Sequence, residues 1–304
     1  MMSIITSSVS QGFLWSIMAI GVYLTFRILD IADMTAEGSF PLGAAVTARA
    51  LTTGHGPIAA TLYGFIAGAL AGLVSGLLHT KLKIPDLLTG ILTMTGLYSI
   101  NLWVMGLTSN LSLTTDPKLK TIFSRFPVGD DTTTVIVIGA IIVVIVIALL
   151  VMFFNTEMGL AARAVGNNQA MSAANGINND NMKIIVYMVS NGLIALAGSL
   201  MAQSNGYADV SMGIGTLVIA LSAIIIAEIF LHNLSFGMRL VTIIGGAIIY
   251  RLIIALVLEL GVDPNYLRLF YALMLVLFLA IPTVQNRFRQ WEQRQANRKR
   301  MSED

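Results

Sequence analysis

Long apolar runs separated by short polar joints constrain this chain more than any single motif does. A helix that crosses a bilayer needs about 20 apolar residues, and about nine runs approach that length. They are Val9–Leu29, Phe40–Leu51, Ile58–His79, Pro85–Met105, Thr134–Phe154, Lys183–Gln203, Gly213–Leu231, Met238–Leu258 and Leu267–Pro282. Runs of this length are not strands of a soluble core, and no alternating ten-residue pattern points to a β-barrel. Composition agrees: 56% of the 304 residues are hydrophobic and 11% are charged, against about a quarter charged in soluble domains. The prediction is an all-α, polytopic transmembrane fold over residues 1–285, followed by a basic tail over 286–304. The second run is short and follows the polar stretch Asp30-Ile-Ala-Asp-Met-Thr-Ala-Glu-Gly, which suggests half of a broken helix. No cleavable leader is expected, because no basic segment and small-residue cleavage site accompany the first apolar run.

Basic residues near helix ends predict orientation. Lys81, Lys83, Arg163, Lys183 and Arg239 fall on one side, with Arg287, Arg289, Arg294, Arg298, Lys299 and Arg300 of the tail. The other side has Lys118, Lys120 and Arg125, balanced by Asp116, Asp130 and Asp131, together with Arg49 and Arg268. The first side is expected to be cytoplasmic, with the tail along anionic lipid and the N-terminus outside. Too few charges cluster for a nucleic-acid role.

Cysteine is absent, which excludes disulfides, thiolate metal sites and a cysteine nucleophile. His55, His79 and His232 have no ligand spacing and are expected to be interfacial rather than metal ligands. The phosphate-loop, G-x-S-x-G and H-E-x-x-H patterns are missing, so the chain is expected to be neither an enzyme nor a nucleotide-binding protein.

Charges within apolar runs are costly and therefore functional candidates. Arg27, Asp30, Asp33 and Glu37 cluster around the joint between the first two runs, and Gly38, Ser39, Pro41 and Gly43 have the composition of an unwound helix. Irregular backbone at membrane depth lines a cavity or is buried in protein. Two readings stay open: a substrate pathway, or headgroup-level charges with Asp33 or Glu37 paired to Arg27. Glu228 and Arg251 fit either an interhelical ion pair or the pathway. Asn101 and Trp103, with Tyr98 just before them, could supply polar and stacking contacts or serve packing. Gly64, Gly68, Gly72 and Gly76, four residues apart, read as a face for close helix packing.

One polar stretch, from Thr156 to about Met182, is too long for a simple connector and too short for a domain. Its order of helix, Gly, Asn-Asn, short helix and Asn-Gly predicts a platform on the membrane surface where another protein docks.

These residues carry a resemblance. Gly159-Leu-Ala-Ala-Arg-Ala-Val-Gly-Asn-Asn-Gln, then Ala173-Ala-Asn-Gly-Ile-Asn and Lys183, is similar to the cytoplasmic loop of ABC-importer permeases of the branched-chain amino acid/ribose type. The resemblance implies that Asn167–Asn175 is the coupling helix that sits in a groove of the ATPase. Its implied coupling residues are Arg163, Gly166, Asn167, Asn168, Gln169, Ala173, Asn175 and Gly176. Asp33-Met-Thr-Ala-Glu-Gly-Ser-Phe-Pro-Leu-Gly-Ala-Ala occupies the place of the family's Asp- and Gly-containing motif. Three further stretches, Ala71–Pro85, Gly90–Leu102 and Gly246–Leu252, resemble the tryptophan/tyrosine-type permeases. The resemblance runs from about Gly12 to Pro282. It departs from the ribose branch in an N-terminal helix that is missing and in Asp30-Ile-Ala-Asp where that branch has Gly-Gly-Ile-Asp, which disfavours ribose as cargo.

By this resemblance, 1–285 is a permease domain with a cytoplasmic coupling loop at 156–182, a homodimer in a prokaryotic plasma membrane. Its implied partners are cytoplasmic ATPases and an external substrate-binding protein. ATP and Mg²⁺ would be bound by the ATPase, and this chain would hold no cofactor. Asp33, Glu37, Asn101, Glu228 and Arg251 are its candidate pathway residues. The cargo implied is an aromatic amino acid; branched-chain amino acids, nucleosides and vitamins stay open. The competing classes are an ion-coupled secondary transporter using Asp30, Asp33 and Glu37, and a non-transporting scaffold.

Overall fold

The computed structural model describes residues 2–114, 119–230, 234–263 and 266–280. Asp116, Lys118, His232 and the arginine-rich tail, named above, lie outside the described residues. Helix α1 (Met2–Tyr23) continues into a π-helical turn, Leu24–Ile28, and an irregular segment, 29–35, leads to α2 (Ala36–Thr52). Then come α3 (Pro57–Thr80), α4 (Asp86–Val104), strand β1 (Asn110–Ser112), α5 (Ile122–Arg125) and α6 (Asp131–Phe154). Two short helices, α7 (Glu157–Asn167) and α8 (Gln169–Ala174), precede α9 (Asn179–Asn205) and strand β2 (Tyr207–Asp209). A 3₁₀ turn (Val210–Gly213), α10 (Thr216–Phe230), α11 (Phe236–Glu259) and α12 (Leu267–Ala280) complete the described residues.

Seven of the described helices are long and apolar enough to cross a membrane, against the nine or so runs expected from the whole sequence. The predicted second span, α2, is short, and the ninth, Leu267–Pro282, runs beyond the described residues. At about 1.5 Å per residue, α2 falls short of a core about 30 Å thick. Most of α2 is buried in protein, so it needs no lipid-matched length. The second crossing is broken, as predicted, but not where the composition suggested. Gly38, Ser39, Pro41 and Gly43 lie inside continuous helix, and the non-helical part is 29–35, with Asp30 at φ 56°. Pro41 has no N–H for the Glu37 carbonyl, and Gly213 packs onto that free carbonyl: a Cβ there would lie 1.9 Å from it. Gly43 lets Ala195 approach in the same way.

The core forms around α1 and α9, of whose apolar windows 72% is buried, against 22% for α6 at the periphery. Leu14, Ile17, Met18 and Ile20 of α1 pack with Tyr187, Ile194 and Leu200 of α9 and Ile224 and Tyr250 beyond them. The glycine stripe packs α3 on α9. A Cβ at Gly64, Gly68 or Gly72 would lie 2.1–2.2 Å from atoms of Ser199, Ala195 and Tyr187 respectively. The four-residue period on α3 meets the same period on α9, run antiparallel, so backbones touch where side chains would otherwise intervene.

The all-α expectation needs one correction. At one end of the bundle β1 and β2 pair antiparallel, with Leu111 opposite Ala208, which supplies hydrogen-bond partners that two loop segments would lack. The opposite end gathers basic residues, as the charge pattern predicted. Lys81 pairs with Asp180 at 3.2 Å, Lys183 donates to Gln169 Oε1 at 3.0 Å, and Arg27, Arg163 and Arg239 line one cavity.

Candidate coupling site and pathway residues

The polar stretch forms a capped platform at the basic end. Three side chains start its helices by accepting from exposed backbone N–H groups, as N-caps do. Thr156 accepts from Gly159, Asn168 from Met171 (2.9 Å) and Asn178 from Asn181 (3.1 Å). Gly176, at φ 81°, turns the chain after α8, a conformation that favours glycine. Asn179 donates to the Gln169 carbonyl at 2.8 Å, and Ser172 is buried with its hydroxyl on the Asn168 carbonyl. Thus α8 is tied to the start of α9 on one side and presents Gln169, Ala170, Met171, Ala173 and Asn175 to the exterior on the other.

The eight predicted coupling residues divide in two. Asn167, Asn168, Gln169, Ala173, Asn175 and Gly176 are exposed, as a docking surface requires. Arg163 and Gly166 face inward. The Arg163 guanidinium lies 4.3 Å from the Phe236 ring centroid and 5.3 Å from that of Phe154. Burial against these rings lowers its pKa, with Tyr23 opposing the shift. Gly166 packs on the backbone of Ile28: a Cβ there would sit 1.5 Å from the Ile28 carbonyl oxygen. The platform therefore rests directly on the end of the π-helical turn, where the broken crossing begins.

Past that contact, the irregular segment is held by a buried polar network. Asp33 accepts from the Thr35 N–H at 2.9 Å and from Asn191 Nδ2 at 2.7 Å. Ser39 donates to Asn191 Oδ1 at 2.7 Å. Thr35 and Ser75 hydroxyls share a bond at 2.7 Å, and Ser75 donates to Thr93 at 2.9 Å. Asn191 lies midway along α9, so these groups sit deep in the bundle and join α2, α3, α4 and α9 through Asp33, Thr35 and Asn191. Buried polar groups need such partners.

The pairings proposed from sequence are replaced. Arg27 pairs with neither Asp33 nor Glu37; its Nε donates to Glu228 Oε1 at 2.7 Å, and its Nη2 bonds the second carboxylate oxygen. Glu228 consequently does not meet Arg251. That residue, one helix along, bonds Gln11 and lies 4.9 Å from the Trp15 ring centroid. Glu37 accepts from the Gly215 N–H at 3.1 Å, at the start of α10, where a carboxylate complements the helix dipole. Asn101 donates to the Gly38 carbonyl at 3.2 Å, inside the bundle. Trp103 and Tyr98 point outward, 74% and 56% exposed, and take no part in a polar site. Asp30, Asp33 and Glu37 do not converge: they face the basic-end cavity, the buried network and α10. Among the described residues, no group of three or more His, Cys, Asp or Glu residues could hold a metal ion. Sequence reasoning missed Asn191 and Ser75, for which a polar residue within an apolar run was the available signal, and took Ser39 for part of an unwound helix rather than a partner of Asn191.

The family model described as branched-chain amino acid transport system / permease component matches residues 4–281. The chain belongs to this permease family. It is 43% identical, over 92% of its own length and 91% of the relative's, to the tyrosine transport system permease protein of Clostridioides difficile (strain R20291). An uncharacterized protein of Rickettsia prowazekii (strain Madrid E) is 34% identical over 93% of this chain and 99% of its own. The autoinducer 2 import system permease protein of Yersinia pseudotuberculosis serotype O:3 (strain YPIII) is 27% identical over 71% of this chain and 59% of its own. No solved structure matches. The chain is thus a multi-pass membrane permease component of an ABC-type transport system, which is not itself an enzyme. Such components work with ATPase and substrate-binding partners.

Proposed function

We propose that this permease carries an aromatic amino acid, tyrosine foremost, into a prokaryotic cell, as a homodimer in the plasma membrane. The cargo reading is supported by the 43% identity to a tyrosine transport system permease over nearly the whole chain and by the Ala71–Pro85, Gly90–Leu102 and Gly246–Leu252 stretches. Two cytoplasmic ATPases bind ATP and Mg²⁺, an external binding protein delivers the cargo, and the basic end and C-terminus face the cytoplasm.

The observation that carries the mechanism is the seat of the platform on the broken crossing. ATPase closure pushes α8 through its exposed face. α8 is tied to α9 and follows α7, and Gly166 of α7 touches the Ile28 backbone without an intervening side chain. The push therefore reaches the 29–35 segment, which the Asp33–Asn191 bond links to the bundle centre. Both sites bias one equilibrium between outward- and inward-open states. The exposed Asn167, Asn168, Gln169, Ala173, Asn175 and Gly176 contact the ATPase; Arg163 and Gly166 hold the platform to the spans. Asp33, Glu37, Asn101, Glu228 and Arg251 shape the pathway by holding its helices.

Purification of the tagged chain from native membranes, with mass spectrometry of what accompanies it and uptake of labelled tyrosine in proteoliposomes, tests this reading. An ATPase lost on reversing the exposed character of Gln169 and Met171, and tyrosine uptake that requires ATP, are expected. Uptake by this chain alone, driven by an ion gradient, would refute it.

A further inference from the structure

The cavity at the basic end has a chemistry of its own. It encloses about 590 Å³ between the π-helical end of α1, the last turn of α7 and the start of α11. Arg27, Arg163 and Arg239 line it, with Asp30 and the rings of Tyr23 and Phe236. Arg27 is taken by Glu228. Arg239 donates its Nε to the Leu234 carbonyl at 3.1 Å. The Arg163 guanidinium lies over the Phe236 ring, 4.3 Å from its centroid, and its Nε and Nη2 are buried with no hydrogen-bond partner. Three guanidiniums thus meet two carboxylates, and the least solvated of the three keeps unfilled donors. A desolvated, unpaired guanidinium is destabilising until an anion completes it. Its planar fork matches two oxygens of a phosphate group.

The depth of the cavity narrows the anion. Arg27 closes the first span, Phe154 closes α6, and Arg239 lies in the first turn of α11. The guanidiniums therefore sit where spans end, at the level of lipid headgroups, and the rings beside them offer apolar surface to the first carbons of an acyl chain. Basic pockets between membrane helices hold anionic headgroups for these reasons.

We infer that this cavity is a binding site for a phosphate ester, supplied by an anionic phospholipid, with Arg163 and Arg239 as its ligands. The inference rests on the depth of the span ends and not on the cargo or the ATPase proposed above. Because Gly166 and Asn167 form part of the wall, the headgroup also braces the coupling platform.

Native mass spectrometry of the full chain in detergent tests this, titrated with phosphatidylglycerol, phosphatidylcholine or inorganic phosphate. One phosphatidylglycerol is expected to bind in preference to phosphatidylcholine. Its affinity should fall about fivefold on Arg163→Gln or Arg239→Gln, the effect of one basic residue at a charged surface. Arg125→Gln, at the opposite end, should leave it unchanged. Arg239 is exposed, so its variant keeps the test valid if Arg163→Gln fails to fold. Displacement of the lipid by millimolar inorganic phosphate, with the same arginine dependence, supports the site and reassigns its source to free phosphate. Phosphatidylglycerol affinity unchanged in both arginine variants, or equal to that of phosphatidylcholine, would overturn the inference. So would loss of lipid binding on ATPase assembly, since a protein carboxylate would then be the anion.

Discussion

Replacing Gly166 by alanine would put a Cβ 1.5 Å from the Ile28 carbonyl oxygen, 2.7 Å from its carbonyl carbon and 3.2 Å from Leu29 Cα. All three are backbone atoms, so no rotamer relieves the overlap. A carbon–oxygen contact settles at about 3.3 Å, so α7 must withdraw by roughly 1.8 Å along that line. Overpacking of this kind costs about 1–3 kcal/mol, and more where backbone moves. The loss falls on the contact that joins the platform to the broken crossing. A coupling energy changed by 1–3 kcal/mol alters coupled affinities by about 5- to 150-fold. The assay is tyrosine uptake per ATP hydrolysed in the reconstituted transporter, with thermal unfolding of the permease followed by tryptophan fluorescence. At least a fivefold loss of uptake per ATP is expected, on the order of the lower limit above, together with a lower Tm while the ATPase stays bound. Gly96→Ala is the control, because a Cβ there meets nothing within 4 Å; it should stabilise the helix by up to about 1 kcal/mol. Wild-type coupling and Tm in the Gly166→Ala protein would refute the reasoning.

Three further outcomes are expected. Asn168→Ala removes the cap of α8 and should cost about 1 kcal/mol locally, read as faster amide exchange over 169–174 with global Tm nearly unchanged. Arg27 and Glu228 are both well exposed, with side-chain exposures of 46% and 38%; breaking this pair should cost no more than about 1 kcal/mol, and the Arg27→Glu/Glu228→Arg double variant should regain what either single variant loses in Tm. Asp209 feels burial, which raises its pKa, but hydrogen bonds from Ser211 and Asn110 outweigh that and hold it below the ordinary aspartate value. A depressed carboxylate pKa stabilises the fold above the unfolded value and ceases to do so as pH falls through the folded one. Asp209→Asn should therefore loosen β1–β2 at neutral pH, with the difference from wild type vanishing under strong acid; amide exchange at Leu111 and Ala208 reads this.

Local pattern and long-range register differ in how well the residues announce them. The platform was legible because its caps and glycines act within three or four residues of themselves: Asn168 on Met171, Asn178 on Asn181. The glycine stripe on α3 was legible because a four-residue period leaves one face of a helix without side chains. The partner of Glu228 was not. Arg27 is 201 residues away, and Arg251, nearer in sequence, points instead to α1. Composition also misplaced the break in the second crossing, because Gly and Pro mark close helix contact as readily as unwinding. Apolar length alone does not number the crossings for a related reason: a helix enclosed by protein, such as α2, is freed from the bilayer's length rule.

The contact of α3 with α9 limits which parts of the molecule can move. Sliding either helix by one residue would bring Phe65, Ala69 or Leu73 of α3 toward atoms of Ser199, Ala195 and Tyr187 that now meet only hydrogen at Gly64, Gly68 and Gly72. Lys81 and Asp180 bridge the same two helices at the basic end, and Gln203 donates to Thr61 at 2.7 Å at the other. The pair is thus a single strut, pinned at both ends and keyed along its length, with its foot beside the platform. Any rearrangement of the bundle that keeps these contacts therefore carries α3 and α9 together as one body, and its bending falls on joints outside them.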